Sequence, residues 1–201
     1  MDLKKGLSLT AFGFLFTLVN FNLIFNGTKI NIIPDCLGWL LFFLAFGSLG
    51  AYAKGYKWLR WIALILAVIT AAFWVLEIVR PELAASSDFS LVNTVVGVCE
   101  LVFTVLIFTP LIRIAKDYGS TREGTLKTLR IIDVVAYILV LAAGIYVYMT
   151  ANGATSIDGM SGTTVLAGII TVIAAVAMLV CAIITVITVF GLRKEVTGKT
   201  A

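Results

Sequence analysis

Histidine is absent from this 201-residue chain. That absence removes His-based catalytic triads, His proton shuttles and His metal ligands. Charge is scarce as well: Asp, Glu, Lys and Arg together make up 13% of the residues, about half the share of a soluble domain. Cys36, Cys99 and Cys181 are the three cysteines. Each lies in or beside an apolar run, with no CxxC spacing. They read as small apolar residues rather than a metal site or a disulfide framework, so no cofactor or metal is expected. No cleavable leader is expected either, because the apolar run after Lys4 and Lys5 lacks a small-residue cleavage site and leads into further runs.

What the chain has instead is apolar sequence, 61% of the residues. The runs fall at 7–25, 33–53, 58–79, 91–115, 129–150 and 163–192. A helix needs about 20 residues to cross the hydrocarbon core, so these runs account for nearly the whole length. The expected fold class is an all-α integral membrane protein: a six-transmembrane-helix bundle forming a single transmembrane domain over 1–201. The last run, at 1.5 Å per residue, is roughly 45 Å long and must tilt or project.

Basic residues orient the bundle. With the N-terminus cytoplasmic, the inner segments hold Lys4, Lys5, Lys54, Lys57, Arg60, Arg113, Lys116, Arg122, Lys127, Arg130, Arg193, Lys194 and Lys199, which is 13 of the 15 Lys and Arg. Only Lys29 and Arg80 fall outside. The positive-inside rule therefore places both termini in the cytoplasm. Basic residues gathered in loops between apolar runs point to anionic lipid head groups as partners, not to nucleic acid. Lys57-Trp58-Leu59-Arg60-Trp61-Ile62 and Lys127-Thr128-Leu129-Arg130-Ile131-Ile132 share a K-x-L-R-x-I pattern. Basic residues at the start of any helix leaving the cytoplasm account for it without an internal repeat.

Small and polar residues recur at helical spacing. The sets are Thr10, Gly13, Thr17 and Asn20; Ala63, Ala67, Thr70, Trp74 and Glu77; Asn93, Gly97, Glu100 and Thr104; and Asp133, Ala136, Tyr137 and Gly144. Steps of three and four keep each set on one face. Such faces let helices pack closely in lipid, which explains the Ala, Gly and Thr positions. Packing does not explain Glu100, near the middle of the fourth run. An ionisable group there costs about 2.5–3.5 kcal/mol on insertion scales and needs a partner, water or a proton. Glu77, near the outer end of the third helix, has Arg80 three residues on. Asp133, near the start of the fifth, suits the helix dipole.

The stretch Asn31-Ile32-Ile33-Pro34-Asp35-Cys36-Leu37-Gly38-Trp39 is a second singular feature. Pro34 fits the first position of a helix, and Asp35 then sits in the first turn, where the dipole favours its charge. Asn20, Asn22, Asn26 and Asn31 gather around the same outer turn. Asn26-Gly27-Thr28 also fits a glycosylation sequon, relevant only in a secretory pathway. The residues Ile30, Asn31, Ile32, Pro34, Asp35, Gly38 and Trp39 resemble an I-[ND]-I-L-P-D-F-I-G-[YF] pattern. Uncharacterised small multi-pass membrane proteins of Gram-positive bacteria carry it between their first two helices. Cys36 and Trp39 depart from the aromatic positions of that pattern. The resemblance implies a bacterial plasma membrane and brings no activity with it.

Two functions compete. Glu100, Asp35, Asn20, Asn22, Asn31, Glu77 and Trp74 fall in the outer half of the membrane or near mid-depth. Converging, they would line an outward-facing polar pocket of a small transporter or binder for a cationic or proton-coupled solute. The alternative is a non-transporting regulatory, assembly or immunity-type subunit whose polar stripes dock onto a second copy or another membrane protein. An enzyme is not expected. Without His, the only acid–thiol pair is Cys99 beside Glu100, and adjacent helical residues point about 100° apart.

Overall fold

Each of the six apolar runs forms a helix in the computed structural model, which describes residues 3–18, 22–25, 28–31, 34–80, 87–150 and 162–199. The helices are α1 (Leu3–Leu18), α2 (Cys36–Leu49), α3 (Gly55–Val79), α4 (Ser87–Asp117), α5 (Glu123–Thr150) and α6 (Gly162–Lys199). Between α1 and α2 lies an antiparallel hairpin, β1 (Asn22–Phe25) with β2 (Thr28–Asn31).

The hairpin corrects the expected first helix over 7–25. Helix α1 ends at Leu18, and the following segment pairs Asn22 with Asn31 and Phe25 with Thr28. That register leaves Asn26-Gly27 between the strands, the dipeptide most favoured in two-residue hairpin loops. Asn and Gly are weak helix formers, and Asn side chains compete with the helical backbone for hydrogen bonds. Residues 22–25 and 28–31 therefore form strands instead of continuing the helix. The second helix is also shorter than the 33–53 run: α2 has 14 residues, about 21 Å at 1.5 Å per residue.

Among the described residues, three helices are long and apolar enough to cross a membrane: α3, α4 and α6. Their outward faces are apolar, with Val172 and Ile173 each 64% exposed. Such surfaces are stable against lipid rather than water, and they mark a membrane protein.

Each helix packs on the next, and α6 closes back on α1. The α1–α2 seam depends on missing side chains. A Cβ on Gly38 would stand 2.5 Å from Thr17 Cγ2 and 2.9 Å from the Thr17 backbone nitrogen, and one on Gly13 would stand 2.8 Å from the Phe42 ring. Only glycine allows that approach. The interior is filled by a column of rings on α2, α3 and α4. Trp39 meets Phe103 edge-on at 4.9 Å, Phe103 lies 5.5 Å from Phe42 and 5.8 Å from Phe46, and Phe46 stacks on Tyr56 at 4.9 Å. Phe42, Phe46, Tyr56 and Phe103 are all at most 2% exposed.

A latch ties the basic end of the molecule together. Helix α4 stops in a Schellman motif: Gly119 takes φ 55°, Gly119 N–H donates to Lys116 O and Ser120 N–H to Ala115 O. The turn that follows wraps the Glu195 carboxylate of α6. The hydroxyl of Ser120 donates to it, as do Thr121 N–H at 3.0 Å, Thr121 Oγ1 at 2.8 Å and Arg122 Nε at 3.2 Å. Gly191, one turn before Glu195, leaves room for the Arg122 guanidinium, which would be 2.9 Å from a Cβ there.

Candidate functional site

Opposite the latch, at the end carrying the hairpin, lie three carboxylates linked electrostatically through Asp35. Asp35 precedes α2, Glu77 lies in the last turn of α3, and Glu100 lies in the middle of α4. Strand β2 packs against α3 nearby. Asp35 is within electrostatic reach of both Glu77 and Glu100. All three side chains are half-buried.

Asp35 does not do what a helix-start acid does. Its backbone is helical, at φ −56° and ψ −25°, and its side chain makes no capping bond to α2. The turn is closed by backbone alone, with Leu37 N–H donating to Pro34 O at 3.0 Å and Trp39 N–H to Asp35 O at 3.2 Å. Asp35 Oδ1 is buried and has no hydrogen-bond partner, and the same holds for Trp39 Nε1 one turn on. A buried acceptor left unsatisfied costs about 1–3 kcal/mol, more when charged. The expected helix start is thus shifted: α2 begins at Cys36, so Asp35 flanks the helix instead of lying in its first turn, and its side chain makes no capping bond.

Glu100 is tied to a second polar group on its far side. Tyr137 of α5 donates its hydroxyl to the Gly97 carbonyl at 2.7 Å, and a Cβ on Gly97 would stand 3.4 Å from that hydroxyl oxygen. From there Tyr137 is within electrostatic reach of Glu100 and of Asp133, one helical turn before it, and Asp133 is within reach of Cys181 on α6. A polar series thus runs Glu77, Asp35, Glu100, Tyr137, Asp133. The sequence placed Asp133 and Tyr137 on one stripe. The dipole explanation of Asp133 hid their link to Glu100; their i, i+4 spacing on a face with Gly144 was the available signal.

The seven residues expected to line the pocket fare differently. Asp35 is within electrostatic reach of Glu77 and of Glu100. Trp74, one turn below Glu77 on α3, is half-buried. Asn22 and Asn31 are paired backbones at the open end of the hairpin. Asn20 lies outside the described residues. Glu100 was expected to share its pocket with α1 and α3; its electrostatic neighbours are Asp35, which precedes α2, and Tyr137 on α5. Below Asp35, Trp39 begins the aromatic column, which packs beneath the acids. Among the described residues no group of three metal-ligating side chains is present. Cys36 and Cys181 are buried and Cys99 is exposed, all as free thiols.

Comparison with protein-family models, with curated proteins and with solved structures returns no match.

Proposed function

We propose that the chain is a multi-pass bacterial plasma-membrane protein that binds, and in proton-coupled fashion moves, a small cationic solute. The solute enters an outward-facing pocket formed by Asp35, Glu77 and Glu100. The observation that carries this reading is the unpartnered Asp35 Oδ1, within electrostatic reach of two further carboxylates from different helices. Among the described residues, the charges acting on Asp35 and Glu100 are other carboxylates. Acids held together inside a membrane protein are satisfied by a proton or a positively charged ligand, and such residues mark ion and proton pathways. The series through Tyr137 to Asp133 supports the proton-coupled form. The packed rings beneath favour a binder with a gated path over an open pore.

Six crossings with both ends cytoplasmic remain part of this proposal, supported by the placement of 13 of 15 basic residues. In a cysteine-free background, Ser86→Cys and Gly153→Cys should label only from outside and Gly119→Cys only from inside. Labelling of Ser86→Cys from the cytoplasmic side alone rejects the topology.

The function is tested in proteoliposomes holding a pH-sensitive dye. Methylammonium, putrescine and Na⁺ are each added outside. One of these cations should change the internal pH with the wild type and not with Glu100→Gln, while Asp133→Asn should bind the cation without the proton movement. Flux that persists in Glu100→Gln rejects the pocket. Polar stripes that instead serve a partner subunit would leave all variants silent and copurify with a second chain.

A further inference from the structure

We propose that the cleft between Lys4 of α1 and Phe190, Arg193, Lys194, Thr197 and Gly198 of α6 is a binding site for one anionic phospholipid. Its phosphate sits on the three cations and its acyl chains lie along an apolar stripe of α6. The cleft has a volume of about 630 Å³ and is lined by those six residues, none of them acidic. It lies at the opposite end of the molecule from Asp35 and shares no residue with the solute pocket. The inference requires only that α6 cross the membrane, so it stands or falls apart from the solute reading.

Helical geometry sorts α6 into three faces. Cys181, Thr185, Val189, Leu192 and Val196 are buried and face the core. Glu195 points to the α4–α5 turn, where Ser120, Thr121 and Arg122 hold both of its oxygens. The cleft residues 190, 193, 194, 197 and 198 follow steps of three and four on a third face. The one acid described at this end of α6 is thus turned away from Arg193 and Lys194 and neutralised by other donors. The latch keeps the Glu195 carboxylate out of the cleft.

That same third face continues up the helix as Ile187, Ile183, Val180 and Val176, which are 59%, 45%, 47% and 55% exposed. Phe12 of α1, 43% exposed, meets Phe190 edge-on at 5.6 Å, joining the α1 and α6 sides of the groove just above the cations. A stripe of exposed apolar side chains that ends in a three-cation cleft has the polarity of an anionic lipid: hydrocarbon first, then phosphate. Depth agrees. Arg193 and Lys194 are the first charged residues after the apolar run 163–192, at the end of the segment that crosses the hydrocarbon core. That places Arg193 and Lys194 at head-group level, where basic pockets between helices take anionic head groups.

The test is native mass spectrometry of the full chain, released from nanodiscs containing equal phosphatidylglycerol and phosphatidylcholine of identical acyl chains. One phosphatidylglycerol should remain bound, in preference to phosphatidylcholine by about tenfold or more. The triple variant Lys4→Gln/Arg193→Gln/Lys194→Gln should lose that preference. Arg113→Gln/Lys116→Gln, which removes basic charge elsewhere at the same end, should keep it. Glycerol phosphate at millimolar concentration should not displace the lipid. Equal retention of the two lipids, retention by the triple variant, or equal loss in the control variant overturns the site; displacement by glycerol phosphate makes it a free-phosphate site instead. Should the triple variant fail to fold, Arg193→Gln alone is compared by the rise in melting temperature on adding phosphatidylglycerol. A rise equal to that of the wild type overturns the proposal.

Discussion

Glu195 and Asp35 are both carboxylates at the edge of the same helical ring, and the protein treats them in opposite ways. Glu195 receives four donors from one turn, including a charged one. Asp35 has a buried oxygen with no donor, and its charged neighbours are carboxylates. A fold that can surround one acid with donors leaves the other bare. Partnered acids hold structure together. A bare acid is a cost, and such costs concentrate where a ligand or proton completes the site. The two ends of the molecule can therefore be told apart by what happens when each charge is removed.

The largest effect should come from the wall between the two ends. Phe103 touches Trp39, Phe42 and Phe46 and is 1% exposed. Phe103→Ala should cost about 3–5 kcal/mol, read as a lowered melting temperature in lipid nanodiscs. A change too small to measure would mean that the rings do not form a packed column.

Glu195→Gln should come next, lowering stability by about 1–2 kcal/mol once partial exposure of the pair is allowed for. This difference should depend on pH. Glu195 lies beyond the apolar run of α6, and the Ser120 hydroxyl, then Thr121 and Arg122, hold its carboxyl down from 4.5 to about 2. Its folded-state value is depressed, so the latch contributes fully above the ordinary glutamate range and is lost as pH falls through about 2. Melting curves of wild type and variant should converge on acidification. Curves that stay parallel down to the lowest pH reached would contradict the latch.

Asp35→Asn should go the other way. Removing an unpartnered charge beside Glu77 and Glu100 should leave the melting temperature unchanged or slightly raised, while cation binding is lost. A fall comparable to that of Glu195→Gln would restore Asp35 to a structural role. The smallest effect is expected at Lys127, whose Nζ lies 2.6 Å from Glu123 Oε1 in an exposed i, i+4 pair. Lys127→Gln should not shift the melting temperature measurably, because exposed pairs are screened by water and salt.

Much of this was legible in the residues. Six apolar runs became six helices because length and hydropathy decide that question. Asp35 and Glu100 stood out because an acid in an apolar run has no packing explanation. The hairpin has a local signal as well: Asn26-Gly27 between Phe25 and Thr28 is a turn dipeptide, set inside a run that is apolar on average. Other features needed three dimensions. Ser120, Thr121 and Arg122 are more than 70 residues from Glu195 in sequence, and no local pattern pairs them. The approach of Asp35 to Glu77 and Glu100 depends on how three helices pack. That Gly38 faces Thr17 is equally invisible, because a glycine in a helix does not announce which neighbour needs its space.

The most direct test of the bare-acid account is isothermal titration of methylammonium, putrescine and Na⁺ into the wild type and into Asp35→Asn/Glu100→Gln, with melting temperatures measured alongside. The account predicts that at least one cation binds the wild type, that none binds the double variant, and that the variant melts no lower. A double variant that melts well below the wild type, with no cation binding to either, would show that these carboxylates hold the fold and take no ligand.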